Sequence, residues 1–222
     1  MRKIIKAIVN RTWKPMVENY LSVPRVYNFR RITVNIPPGV FHPGFFFSTK
    51  LLITFLEKQQ LSGKRFLEMG SGSGMISIFA AQQKAVVTAC DISPLAVECT
   101  LGNAKNNGVS ISVFQSDLFS SLPAQQFDII AVNPPYYKKN PASIAENAWY
   151  CGENLEYFRA FFCQAKKFIS ASSDIFMVLS DECDLHGIQA IANENDLTFT
   201  LCVQKRTMWE QGFIFNIRLN EK

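Results

Sequence analysis

From Lys64 onward, apolar runs of strand length alternate with segments of helical period, and this alternation sets the fold class. The runs Arg65–Met69, Ala85–Ile92, Ser110–Gln115, Phe127–Val132 and Asp174–Leu179 read as strands. Met75–Gln83, Pro94–Asn107, Leu155–Ile169 and Leu185–Asn195 read as the helices between them. Strand and helix in turn, with short links, predict a parallel sheet covered on both faces. The last two runs, Phe199–Lys205 and Gly212–Leu219, alternate in polarity across a short polar stretch and predict an antiparallel hairpin. The expected fold is therefore a doubly wound α/β sheet of seven strands, parallel except for one C-terminal hairpin strand.

Ahead of this region the pattern is less regular. Ile4, Ile5, Ile8, Val9, Trp13, Met16, Val17, Tyr20 and Leu21 recur at helical spacing, with Pro15 as a kink or a new start. Arg25–Ile36 alternates weakly and reads as one strand closed by Pro37-Pro38-Gly39. A helix through Leu51, Leu52, Phe55 and Leu56 follows. The 222 residues suit one well-buried domain. The charge is uneven: residues 1–47 hold eight Arg or Lys against one acid, Glu18, whereas the rest holds 15 basic and 17 acidic residues. Such a basic segment reads either as a face for phosphate or an acidic partner, or as a solvated helix face.

Two expectations come from what the chain lacks. Its six cysteines are scattered, with no CxxC pair and only two histidines, which argues against a metal site and against a secreted disulfide framework. The first residues are broken by Lys6, too early for a secretory apolar region, and no run approaches the ~20 apolar residues of a membrane span. A reduced, cytoplasmic protein without membrane attachment is expected.

Glu68-Met69-Gly70-Ser71-Gly72-Ser73-Gly74 ends one predicted strand and opens a helix. Glycines there let the backbone turn tightly and approach a ligand, with helix N–H groups facing it. A dinucleotide site shares this layout and an acid near the second strand end, where Asp91 stands. Its third glycine, however, falls one residue later, at the place of Met75. A further acid, Asp117, closes the third strand, so Glu68, Asp91 and Asp117 line one edge of the sheet. That row suits a cationic nucleoside ligand better than a pyrophosphate.

Asn133-Pro134-Pro135-Tyr136 directly follows the apolar strand that ends at Val132. Two prolines make this turn rigid and extended, which fixes the asparagine amide and places an aromatic ring beside it. A planar NH2 group is a poor nucleophile because its lone pair is delocalised. The Asn133 side-chain oxygen and the Pro134 carbonyl would favour a pyramidal nitrogen as positive charge develops. Tyr136 would stack on the planar group.

With these two motifs the chain resembles, over residues 40–222, the class I S-adenosylmethionine (SAM) dependent methyltransferases with a Rossmann-like sheet. More narrowly it resembles their "small methyltransferase" group, which includes the HemK/PrmC glutamine methyltransferases and several RNA enzymes. The resemblance implies that Gly70, Gly72 and Gly74 lie under the methionine part of SAM, with Glu68 orienting the loop. It implies that Asp91, followed by Ile92, holds the ribose hydroxyls, and that Asp117 with the Leu118 backbone contacts adenine. Asn133, Pro134, Pro135 and Tyr136 would form the catalytic motif, with Asn133 also near the cofactor.

Gly39-Val40-Phe41 looks like the segment folded over the cofactor, which makes residues 1–47 a basic extension and covering segment ahead of a 48–222 catalytic domain. Where many relatives carry an acid, this chain has Phe45-Phe46-Phe47. The implied acceptor is the exocyclic amine of an rRNA or tRNA base, or alternatively a protein glutamine amide. A non-catalytic SAM- or NAD-binding protein is the third reading. Lys138 and Lys139 favour RNA, and Trp149 with Tyr150 either wall the acceptor side or pack in the core.

Overall fold

In the computed structural model, residues 22–44, 47–207 and 210–220 are described. The predicted helical pattern over residues 4–21 lies outside them, as do Phe45 and Phe46. The expected single strand at 25–36 is two strands, β1 (Arg25–Phe29) and β2 (Ile32–Ile36), paired antiparallel. Arg30, with a left-handed φ of 55°, turns the chain between them. Ile32, Val34 and Ile36 alternate cleanly with exposed Thr33 and Asn35, so only β2 carries a fully buried face.

The remaining elements are α1 (Phe47–Leu56), β3 (Arg65–Met69), α2 (Met75–Gln82), β4 (Val86–Asp91), α3 (Pro94–Asn106), β5 (Ser112–Gln115) and β6 (Ile129–Val132). After a short 3-10 turn at Ile144–Ala148 come α4 (Glu156–Ala165), β7 (Asp174–Ser180), α5 (Leu185–Glu194), β8 (Leu197–Arg206) and β9 (Gln211–Leu219). Helix α4 is shorter than its periodicity suggested: Leu155 sits at φ 62° before its first turn, and the helix ends at Ala165.

Seven strands form one sheet in the order β5-β4-β3-β6-β7-β9-β8, and only β9 runs against the others. The fold is thus the seven-stranded doubly wound sheet that the alternation predicted, parallel except for one C-terminal hairpin strand. Adjacent residues on one strand serve opposite layers, as the pleat requires. Phe66, Ile129 and Phe176 pack with the hairpin and α1–α3, while Leu67, Ile130 and Met177 pack with α4 and α5. Connections from β3 run outward to β4 and β5, and β6 then returns to β3's other side. The carboxyl ends of β3 and β6 therefore flank the switch point, where open α/β sheets leave a crevice.

The β1–β2 hairpin is tied to α3 by two asparagines one helical turn apart. Asn103 Oδ1 accepts from the Asn35 N–H at 2.8 Å, and its Nδ2 donates to the Asn35 carbonyl at 3.0 Å. Asn107 treats Thr33 the same way, at 3.1 and 2.7 Å. Each amide thus stands in for a neighbouring strand's peptide group. Asn103 Nδ2 also lies 2.9 Å from the Ser73 carbonyl, which joins the hairpin to the glycine-rich turn. Among the described residues, no helix is long and apolar enough to cross a membrane.

Candidate active site

The crevice at the switch point collects nearly every residue singled out from the sequence. Gly70, Gly72 and Gly74 all have left-handed φ, at 75°, 52° and 74°. At Gly74 a side chain is also excluded by space, because a Cβ would sit 2.8 Å from Thr100 Cγ2. The turn is pinned to β4, with Gly70 and Ser71 N–H groups both donating to the Cys90 carbonyl at 2.9 Å.

Asp91 ends β4 and accepts from the Gly72 N–H through Oδ2 and from the Ser93 N–H through Oδ1, both at 2.9 Å. Burial raises its carboxyl above the usual range, and the Ser93, Gly72 and Ile92 N–H groups oppose that rise. Asp91 and Ile92 both line the crevice.

Glu68 is buried and turned toward α2, where its Oε2 accepts from the Ser77 N–H at 2.8 Å and from the Ser77 hydroxyl. Burial pushes its carboxyl up to about 8, so near neutral pH it is mainly uncharged. The third acid, Asp117, is exposed and lies beyond the end of β5 in the following turn. Leu118 beside it has a φ of 49°, and its carbonyl accepts from the Ser116 hydroxyl at 2.7 Å. Asp117 and Leu118 both line the crevice.

Asn133 follows β6 and faces this space together with Pro134, Pro135 and Tyr136. Its side-chain oxygen accepts from the Tyr136 hydroxyl at 3.1 Å, and its Nδ2 donates to Ser48 Oγ at 3.2 Å. The Tyr136 hydroxyl also lies 3.4 Å from the Val178 carbonyl. Burial raises that phenol well above its ordinary value, which keeps it protonated. The motif backbone is clamped from outside, with Tyr136 and Tyr137 N–H groups donating to the Trp149 carbonyl at 3.1 and 2.9 Å.

Trp149 lines the crevice, and its ring meets Phe41 with centroids 5.5 Å apart. Phe41 in turn lies over the glycine turn, since a Cβ on Gly72 would be 3.9 Å from Phe41 Cβ. Tyr150 does not line the crevice, and Lys139 Nζ lies 4.5 Å from its ring. Lys138 is 3.1 Å from Asp184, so both lysines near the motif have partners on the protein.

Two lining residues, Ser48 and Thr49, were not anticipated. They stand in the first turn of α1, just past the aromatic run, and no local pattern marks them. The packing of α1 against β7 and β9 delivers Ser48 to Asn133, 85 residues away. The arrangement supplies a crevice with acids at one end, a fixed amide and aromatic walls at the other, and a backbone turn between.

Comparison with known proteins matches residues 31–192 to the methyltransferase small domain. A Methanocaldococcus jannaschii protein, named provisionally as a protein N5-glutamine methyltransferase, is 37% identical over 106 residues, 47% of this chain and 51% of that one. The ribosomal RNA small subunit methyltransferase C of Escherichia coli is 36% identical over 114 residues, 50% of this chain and 32% of that one. The chain thus spans about half the length, or less, of these curated relatives. A solved T. thermophilus 16S rRNA methyltransferase, in complex with AdoMet and guanosine, superposes with a TM-score of 0.69 at 20% identity. It covers 90% of this chain and 51% of that one, and shows the shared fold.

Proposed function

The chain belongs to the methyltransferase small domain family, and we propose that it methylates a planar NH2 nitrogen, namely the exocyclic amine of an RNA base. The observation that carries this reading is the meeting of Asn133 and Pro134 with Asp91 and the glycine turn in one crevice. SAM is the proposed cofactor, and the donor set suits it. Gly70 and Gly72 leave a surface without side chains, Asp91 offers carboxylate oxygens for hydroxyl groups, and among the described residues no Lys or Arg lines the space. When bound, SAM would supply a methyl group activated by an adjacent sulfonium.

The chain's own residues then have defined tasks. Asp91, held by two backbone N–H groups, presents its remaining lone pairs to a ribose. Asn133 Oδ1, which already accepts from Tyr136, keeps a second lone pair for an N–H of the acceptor. That interaction strengthens as the nitrogen becomes positive, so it favours the transition state over the ground state. Phe41 and Trp149 exclude water and present faces for a planar group. The nitrogen loses its proton after transfer, so no strong base is needed. Tyr136, kept protonated by burial, is consistent with that.

An RNA acceptor is supported by the aromatic walls that Phe41 and Trp149 give the crevice. The Escherichia coli relative, named for ribosomal RNA, points the same way. A glutamine side-chain amide is the second reading, favoured by the name of the Methanocaldococcus jannaschii relative. Labelled methyl transferred from SAM into an extract of cells lacking this protein distinguishes them. RNase-sensitive label supports the base amine, whereas label removed only by protease would replace it with glutamine.

A further inference from the structure

A side-chain amide is nearly symmetric in shape but opposite in chemistry at its two ends. An asparagine that must accept from an acceptor NH2 works only with its oxygen toward that group and its nitrogen elsewhere. Turned over, it would set an N–H donor against the substrate's own N–H. The torsion that separates these states is soft, so neighbours decide it.

At Asn133 the nitrogen end donates, among the described residues, to the side chain of Ser48, with Oγ at 3.2 Å. The oxygen end meets the Tyr136 hydroxyl, whose single proton is shared with the Val178 carbonyl. A competing arrangement is therefore close at hand. Tyr136 can give its proton wholly to Val178 and take an N–H from a turned Asn133. Ser48 opposes this, because a turned Asn133 would lose the contact in which Ser48 Oγ accepts from Nδ2 at 3.2 Å. Ser48 is itself buried and fixed in the first turn of α1.

We propose that Ser48 is a positioning residue that holds the Asn133 amide with its oxygen toward the acceptor nitrogen, through the Ser48 Oγ···Asn133 Nδ2 contact. This inference rests on the methyl-transfer reading of the same crevice. It adds that α1, an element outside the motif strand, sets which chemical group the crevice can receive. A donor such as NH2 is matched, and a carbonyl or other pure acceptor is rejected.

The test compares Ser48→Ala with Ser48→Thr, which keeps the hydroxyl. With the methylatable extract fraction as acceptor, Ser48→Ala is expected to lower kcat by about tenfold or more, as misplacement of a reacting group does. SAM affinity by calorimetry and acceptor KM should stay within about threefold, and Ser48→Thr should recover most of kcat. A kcat retained within twofold in Ser48→Ala overturns the proposal. So does a loss seen equally in SAM affinity, which would make Ser48 a cofactor contact.

The amide itself gives a readout that needs no turnover. The Asn133 side-chain NH2 resonances, assigned by their absence in Asn133→Ala, should shift in Ser48→Ala and stay near their native positions in Ser48→Thr. Unmoved resonances would overturn the positioning role even if methyl transfer is established. A wild-type protein that binds SAM but methylates nothing, with those resonances shifted as expected, would sink the catalytic reading and leave the contact standing.

Discussion

Single residues at this site are set by burial as much as by charge. Glu68 is the clearest case, with a folded-state carboxyl at about 8 against an ordinary value of 4.5. Between those values the native state holds a proton that the unfolded chain has released. Stability therefore falls as pH rises through this window and levels off above it. Glu68→Gln, which cannot ionise, should gain on the wild type by on the order of a few kcal/mol between pH 5 and 9. Denaturant midpoints across that range check this, and parallel curves for the two proteins would refute it. The residues legible in the sequence were those whose conformation writes its own signature. Glycines forced to positive φ and prolines that stiffen a turn are visible without a fold. Ser48 was not, because a serine acquires its role only when α1 brings it to Asn133.

At the level of elements, the strand and helix order was readable because buried parallel strands are continuous apolar runs. The β1–β2 hairpin was misread as one strand, since the turn at Arg30-Arg31 has neither glycine nor asparagine to announce it. Its docking was also hidden, because it depends on side-chain amides from α3 rather than on apolar contact alone. Asn103→Ala would strip partners from the Asn35 peptide, whose two bonds to it are part-buried, and from the Ser73 carbonyl, whose bond is buried. A loss of about 2–4 kcal/mol in unfolding free energy is expected, against about 1 kcal/mol or less for Asn107→Ala, whose partner Thr33 is exposed. Equal effects of the two substitutions would show that the link to the glycine turn adds nothing.

For the whole molecule, one topological fact organises the rest: the chain reverses direction of sheet growth between β3 and β6, and both motifs emerge there. The glycine turn leaves β3, Asn133 leaves β6, and Phe41 closes over them from the segment after β2. That segment shares the core of the sheet, since Ile32, Val34, Ile36 and Val40 pack with Leu52, Phe66 and Ile78. A chain beginning at residue 48 should therefore melt at least about 10 °C lower, at about 1.5–3 kcal/mol per buried aliphatic side chain lost. A melting temperature within a few degrees of the intact chain would show the two parts to be independent.

The central claim is that this crevice binds SAM at one end and activates an NH2 nitrogen through Asn133 at the other. The most direct test is single-turnover methyl transfer by Asn133→Ala, measured beside SAM affinity on the same preparation. Transfer should fall by about 100-fold or more while affinity stays within a few-fold, as expected when a group that stabilises developing charge is removed. Transfer retained within twofold would contradict the assignment of the chemistry to Asn133.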